Sequence, residues 1–306
     1  MKIASIDIGT NTILLLIVEV SNGKITSVVH DEQVIARLGK GVDADRMINR
    51  ETFERAAGFL RRYKNTCDDF GVEKIRAVGT SALRDAANSD EFISFIRQSI
   101  GISIEILTGD DEARWTYRGG ISEFQGRADK YSVIDIGGGS TEIIIGDGSA
   151  IHSKVSLDLG SVRLTERILK TSPPEHQELI EAHDVIHSHL RGVQTKEIAS
   201  TYAVGVAGTL TTLAALHQRL PAYDREKVSG YTLEYVDVCA MFGLLKDKTV
   251  SQISALPQIS PGREDIIVAG IMILMGYLES CGLKKITVSD RGLRYGMIYR
   301  ELENDR

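Results

Sequence analysis

At 306 residues, with 42% apolar side chains and a formal charge of −6, the chain is long enough for two compact domains and too apolar for a disordered one. The negative charge argues against a general nucleic-acid binder, which needs a basic face to release counterions from phosphate, but a polyanionic ligand met by local Arg, Lys, helix N-termini and a divalent metal stays open. Three scattered cysteines (Cys67, Cys239, Cys281) with no Cys-x-x-Cys pair exclude a disulfide framework and a cysteine zinc site, and no apolar stretch approaches the ~20 residues of a membrane span, so a reduced, cytoplasmic protein is expected.

In chain order, the first element is an aliphatic strand that delivers Asp7 to its end. Gly9-Thr10-Asn11-Thr12 then make a tight turn, and Ile13 to Val20 carry the chain away again. Gly and hydroxyl residues in such a turn let backbone N–H groups come close to an anion. Asn22-Gly23 predicts a hairpin turn into a third strand, Lys24 to His30, followed by a Gly-bounded loop that carries Arg37. Asn49 predicts the cap of a helix reaching about Asp69, with Phe53, Ala56, Ala57, Leu60 and Tyr63 on its apolar face. A strand at Lys74 to Val78 and a helix from Asn88, with Glu91 three residues on as a capping box, come next. Ile102 to Leu107 predicts another strand and Asp110 to Arg118 another helix, which completes a βββαβαβα order. Gly119-Gly120 and the polar stretch 125–130 interrupt the pattern, so the domain boundary is placed at 125/126.

The opening phrase then returns as Val133-Ile134-Asp135-Ile136-Gly137-Gly138-Gly139-Ser140-Thr141, with Glu142 starting the outgoing strand. One Asp-x-Gly turn between strands is an ordinary hairpin; two copies, each opening an α/β half, are far more specific. Helices are predicted at Ser161 to Lys170 and Glu175 to Arg191, a strand at Tyr202 to Val206, and a helix starting at Gly208-Thr209. An apolar helix from Pro261 to Gly282 feeds a strand at Lys285 to Ser289, and Arg291 to Glu303 is the last helix.

Four further segments suit a phosphate site. Gly79 to Asn88 brings Thr80, Ser81 and Arg84 to a strand end, and Thr108 to Ala113 sets Asp110, Asp111 and Glu112 on a helix's first turn, which by itself is ordinary dipole complementarity. Val204 to Thr209 is a strand-to-helix turn with two glycines, and Val288 to Arg294 carries two arginines. His183, His187 and His189 have helical spacing for a metal pair, but the polar segment around them favours a solvated face.

With Gly262-Arg263-Glu264-Asp265 and Ser289 to Gly296, these segments resemble, in order and over essentially the whole chain, the motif set of the exopolyphosphatase and guanosine pentaphosphate phosphatase family. That family is a branch of the actin, Hsp70 and sugar-kinase superfamily. Asp111 and Tyr295 depart from the pattern, where the family usually has Glu and an acid. The resemblance implies an α/β fold of two ribonuclease H-like domains with a cleft between them, 1–125 and 126–306, the last helix (291–306) being able to fold back on the first. It implies Glu112 as catalytic base and Asp7, Asp135 and Glu142 as ligands of Mg²⁺, an ion that prefers hard oxygen donors. It implies substrate contacts from Gly9, Thr10, Asn11, Thr12, Ser81, Arg84, Gly137, Gly138, Gly139, Ser140, Gly208 and Thr209.

The implied reaction is release of the terminal phosphate of inorganic polyphosphate, or alternatively of guanosine pentaphosphate (pppGpp). The fold alone does not choose between hydrolysis and an ATP-dependent kinase, or a sensor that keeps the loops without turnover. Glu112 together with Asp7, Asp135 and Glu142 favours hydrolysis. Longer relatives carry extra helical domains after this core, so short polyphosphates and low processivity are expected here. No nucleic acid or membrane partner is expected, and a homodimer is left open.

Overall fold

The aliphatic alternation at the N-terminus forms a meander in the computed structural model, which describes residues 1–193 and 195–304. Strands β1 (Lys2–Ile8), β2 (Thr12–Ser21) and β3 (Lys24–Ile35) pair antiparallel in sequence order, and two bulges in β2–β3 let β3 run past the expected His30 to Ile35. After the short α1 (Val42–Asp45), α2 (Arg50–Asp69) starts where Asn49 predicts: the Asn49 side chain accepts from the Thr52 N–H at 2.9 Å. β4 (Lys74–Gly79) then pairs parallel with β1, and β5 (Ile104–Ile106) parallel with β4. Between them lie α3 (Ser81–Asp85) and α4 (Ser89–Ile100), and α5 (Gly109–Gly120) follows.

Asn88 stands at the N-cap of α4 as expected, but its side chain makes no capping bond to the helix. Its amide instead grips the Ile48 backbone, accepting from the N–H and donating to the carbonyl, both at 2.9 Å, because a planar amide satisfies one extended residue twice over. The expected strand at 102–107 shortens to the three residues that pair with Ala77, Val78 and Gly79 at the end of β4. One face of the sheet packs on α2 and α4 through Phe53, Leu60, Phe92 and Ile96.

The second unit spans Gly120–Gly292. It begins with β6 (Tyr131–Ile136), β7 (Thr141–Gly146) and β8 (Ile151–Leu157), again an antiparallel meander. Helices α6 (Ser161–Arg167), α7 (His176–Leu190) and α8 (Thr195–Ile198) precede β9 (Tyr202–Val206), which pairs parallel with β6. Then come α9 (Ala207–His217), α10 (Arg225–Val228), β10 (Thr232–Glu234), α11 (Tyr235–Leu245), α12 (Val250–Ser254), α13 (Ile267–Ser280) and β11 (Lys285–Val288). The apolar helix expected from Pro261 starts six residues later, since 261–266 are spent on a turn in which Gly262 takes φ +92°. α13 is buried on nearly every side, as its unbroken apolar sequence requires.

The chain returns to the first unit with α14 (Leu293–Asn304), which covers the other face of the first sheet: Tyr295, Ile298 and Leu302 pack on Ile3, Leu16 and Val18. Tyr295 is fully buried there, which accounts for an aromatic residue at that position. The division between units falls at Gly119/Gly120, inside the last turn of α5.

The first sheet has the order β3-β2-β1-β4-β5. The second repeats it as β8-β7-β6-β9-β11, with β10 added at its edge. This shared three-antiparallel, two-parallel arrangement is the ribonuclease H-like α/β fold, present twice. Among the described residues, no helix is long and apolar enough to cross a membrane.

Candidate active site

Both glycine turns are built alike. Gly9 N–H donates to the Thr12 carbonyl and Gly137 N–H to the Ser140 carbonyl, each at 3.0 Å, and a Cβ at either glycine would press on that carbonyl oxygen at 3.1 and 3.0 Å. Each turn is also tied from behind by the segment that follows the third strand. In the first unit, Gly39 N–H reaches the Thr10 carbonyl at 2.8 Å, and Ala36 and Arg37 N–H both reach the Asn11 carbonyl at 2.9 Å. In the second, Ser161 N–H donates to Gly137 O and Val162 N–H to Gly138 O, both at 2.9 Å, while the Arg163 Nε donates to Gly139 O at 2.7 Å.

With its carbonyls held inward, the second turn presents its other edge. The N–H groups of Gly138, Gly139 and Ser140 have no partner among the described residues. Three successive amides of this kind form an anion-binding concavity. Gly39 and Gly160 make the backing contact feasible: a Cβ at 160 would lie 2.5 Å from the Gly138 carbonyl carbon and nearer still to its oxygen. Sequence reading missed Gly39, Gly160 and Arg163. The available signal was a glycine three or four residues after the third strand in both halves.

In the first unit, Asp7 closes β1 beside Val78 of the parallel β4, so the turn Gly9 to Thr12 lies next to the β4–α3 turn, where Thr80 N–H bonds the Ile8 carbonyl at 3.2 Å. Thr10, Asn11 and Ser81 are buried there. Arg84 on α3 donates through one nitrogen to the Leu107 carbonyl and to Glu112 Oε2, both at 2.9 Å. The guanidinium expected to grip phosphate thus also holds the expected base.

The three acids of the α5 start separate cleanly. Asp111 is exposed and is held by Thr108, whose hydroxyl accepts from the Asp111 N–H at 3.1 Å and donates to its carboxylate at 2.9 Å; Asp110 is exposed too. Glu112 is only 7% exposed. Burial raises its pKa above the ordinary Glu value and outweighs Arg84, which pulls it down. A solvated first turn complementing the helix dipole would leave all three acids in water, so Glu112 calls for another role.

In the second unit, Asp135 stands directly opposite Glu142 across β6–β7, a register that puts two side chains on one face about 5 Å apart at Cβ. Glu142 is buried and accepts from the Ser156 hydroxyl at 2.7 Å. Two adjacent carboxylates repel unless a cation shares them, and their hard oxygens suit Mg²⁺, so this pair fits the ion. Asp7 brings the same donor type to the end of β1.

Asp135 also neighbours Val206 of the parallel β9, which sets the turn Gly137 to Ser140 beside the β9–α9 turn. There Ala207 adopts φ +70°, Thr209 is buried, and Gly208 lies against the Arg263 guanidinium, with no room for a side chain between them. Arg37 occupies the loop behind the first turn with φ +50°. His183, His187 and His189 lie on α7, in the second unit.

Residues 16–305 match the Ppx/GppA phosphatase family. Exopolyphosphatase 2 of Mycobacterium tuberculosis is 35% identical, over 97% of this chain and 97% of its own length. The guanosine-5'-triphosphate,3'-diphosphate pyrophosphatase of Photobacterium profundum is 26% identical over 99% of this chain, which spans 60% of that protein. The crystal structure of the Aquifex aeolicus Ppx/GppA family member superposes with a TM-score of 0.82 at 31% identity, covering 100% of this chain and 99% of that one. By family model, sequence and fold alike, the chain belongs to the Ppx/GppA phosphatase family and its enzyme class is that of the phosphoric anhydride hydrolases.

Proposed function

We propose that this protein is an exopolyphosphatase that releases the terminal phosphate of inorganic polyphosphate with Mg²⁺ as its ion and Glu112 as its base. The observation that carries the reading is Glu112 itself: a carboxylate withdrawn from water at a helix start, held by Arg84 at 2.9 Å, with its pKa raised by burial. A base works best when its pKa approaches the working pH, and a raised Glu moves that way.

In this reading, Glu112 takes a proton from the water whose oxygen bonds to the terminal phosphorus. The bridging P–O bond breaks and the shortened chain leaves with the electron pair. Arg84 fixes the carboxylate's orientation, and its remaining nitrogens carry positive charge toward the phosphates. The N–H groups of Gly138, Gly139 and Ser140 and the hydroxyls of Thr10, Thr12, Ser81 and Thr209 hold phosphoryl oxygens, as do the backbones of Asn11 and Gly208, while Gly9 and Gly137 spend their own N–H groups on closing the turns. Asp7, Asp135 and Glu142 supply the oxygen ligands for Mg²⁺, which when bound would neutralise charge on the phosphate oxygens. Phosphoryl transfer asks mainly for such positioning and charge neutralisation.

Polyphosphate is favoured over pppGpp because the relative named exopolyphosphatase matches end to end at 35%, whereas the pyrophosphatase matches at 26% and over part of its length. The second reading, a pppGpp 5'-phosphatase, rests on that latter relative. Inorganic phosphate release from polyphosphate, pppGpp and ATP, measured side by side with and without Mg²⁺, tests both. Fastest release from polyphosphate, and only with Mg²⁺, is expected. Faster release from pppGpp would select the second reading, and no release from either would overturn both.

A further inference from the structure

Helices α7 and α13 pack closely because Gly276 leaves room for Ile186, whose Cγ2 would stand 2.6 Å from any Cβ there. At the outer edge of this crossing three side chains converge. His183 and His187 sit one turn apart on α7, with ring centroids 4.3 Å apart, and Glu279 projects from the last turn of α13. His187 Nε2 is 3.8 Å from Glu279 Oε2, and one ligand atom from each of the three residues lies within 4.8 Å of the other two.

Two features set this cluster apart from a solvated polar face. The His187 Nε2 atom is shielded from water and accepts or donates no hydrogen bond, although a buried ring nitrogen without a partner is costly. The other nitrogen, Nδ1, lies 3.4 Å from the Ser280 hydroxyl. That is how a metal-binding imidazole is usually oriented: one nitrogen against a hydrogen-bonding neighbour, the other aimed at the ion.

We propose that His183, His187 and Glu279 form a binding site for a divalent transition-metal ion, Zn²⁺ in particular, that pins α7 to α13. Two imidazoles and a carboxylate suit Zn²⁺, whereas Mg²⁺ and Ca²⁺ take oxygen ligands. Tetrahedral bonds of about 2.0–2.1 Å put ligand atoms roughly 3.3 Å apart. The present spacings therefore close by shifts of about 1.5 Å or less. The His183 and Glu279 side chains, 59% and 58% exposed, can make them by rotation. Water completes the fourth position. The site shares no residue with the phosphate turns, so it stands or falls separately from the proposed hydrolase chemistry.

The test uses the full chain, stripped of metal with a chelator and titrated with Zn²⁺ against a chromophoric competitor, with thermal unfolding as a second readout. One ion per chain, unchanged by millimolar Mg²⁺, and a melting temperature that rises with Zn²⁺ are expected. His183→Asn, His187→Asn and Glu279→Gln should each weaken binding roughly tenfold or more and remove the thermal shift. His183 is exposed enough that its variant keeps the fold, so a loss of binding there cannot be blamed on misfolding. Zn²⁺ binding undiminished in the His183→Asn/His187→Asn double variant, or no binding to the wild type, would overturn the proposal.

Discussion

Gly160 gives the sharpest handle on the glycine turn, because it presses on the carbonyl edge of the turn and leaves the N–H edge proposed to meet substrate open. In Gly160→Ala the new methyl would lie 2.5 Å from the Gly138 carbonyl carbon, about 1 Å inside the ~3.5 Å at which carbon atoms normally touch. The obstacle is backbone, so no rotamer change relieves it. Either α6 backs away and loses the bonds from Ser161, Val162 and Arg163 to the turn, or the turn itself moves by about 1 Å. Overpacking of this kind costs about 1–3 kcal/mol, which for a chain of this size lowers the melting temperature by about 2–5 °C. A 1 Å displacement of the three unpartnered amides should cut kcat/KM for phosphate release by about 10². Gly243→Ala serves as the control: it lies in α11 with open space around its Cα and should be neutral or stabilise by up to ~1 kcal/mol. Paired scanning calorimetry and phosphate-release kinetics decide the matter. Wild-type melting and wild-type turnover in Gly160→Ala would refute the claim that the α6 start holds the turn.

Further outcomes follow from the same geometry. Glu112→Gln should lower turnover by roughly 10² or more while substrate binding, read by equilibrium titration, survives; near-normal turnover would remove Glu112 as the base. Its folded-state pKa is raised, so its ionised form costs stability above the unfolded Glu value and that cost vanishes as pH falls below it. Glu112→Gln should therefore melt higher than wild type at neutral pH, with the difference closing in acid, and an equal or lower melting point at pH 7 would contradict the burial argument. Arg84→Gln removes the cation that opposes this shift, so the acid limb of the kcat/KM profile should move to higher pH, whatever happens to the plateau; a limb that stays put would separate Arg84 from Glu112's titration. Chelation of divalent ions should abolish phosphate release and Mg²⁺ should restore it, whereas activity that persists through chelation would count against Asp7, Asp135 and Glu142 as metal ligands.

The sequence by itself determined the two hairpins, the aspartates at their strand ends and the start of α2. These depend on the period of aliphatic side chains and on local turn and cap chemistry, which act between residues a few positions apart. It also showed that Glu112 belongs to a helix start, but not which of three adjacent acids leaves water. Only tertiary structure decided that, since Arg84 comes to Glu112 from 28 residues away and the burial is supplied by the rest of the unit. The segment between α9 and α13 was illegible for a related reason: α11 is apolar on more than one face, so no single period marks it, and which of its residues are buried is decided by packing on α9 and α13. The backing of each glycine turn by Gly39 and Gly160, and the approach of Glu279 to His183 and His187, likewise join residues far apart in the chain. Such pairings are fixed by strand order and helix crossing, and neither of these is written in the spacing of residues along one element.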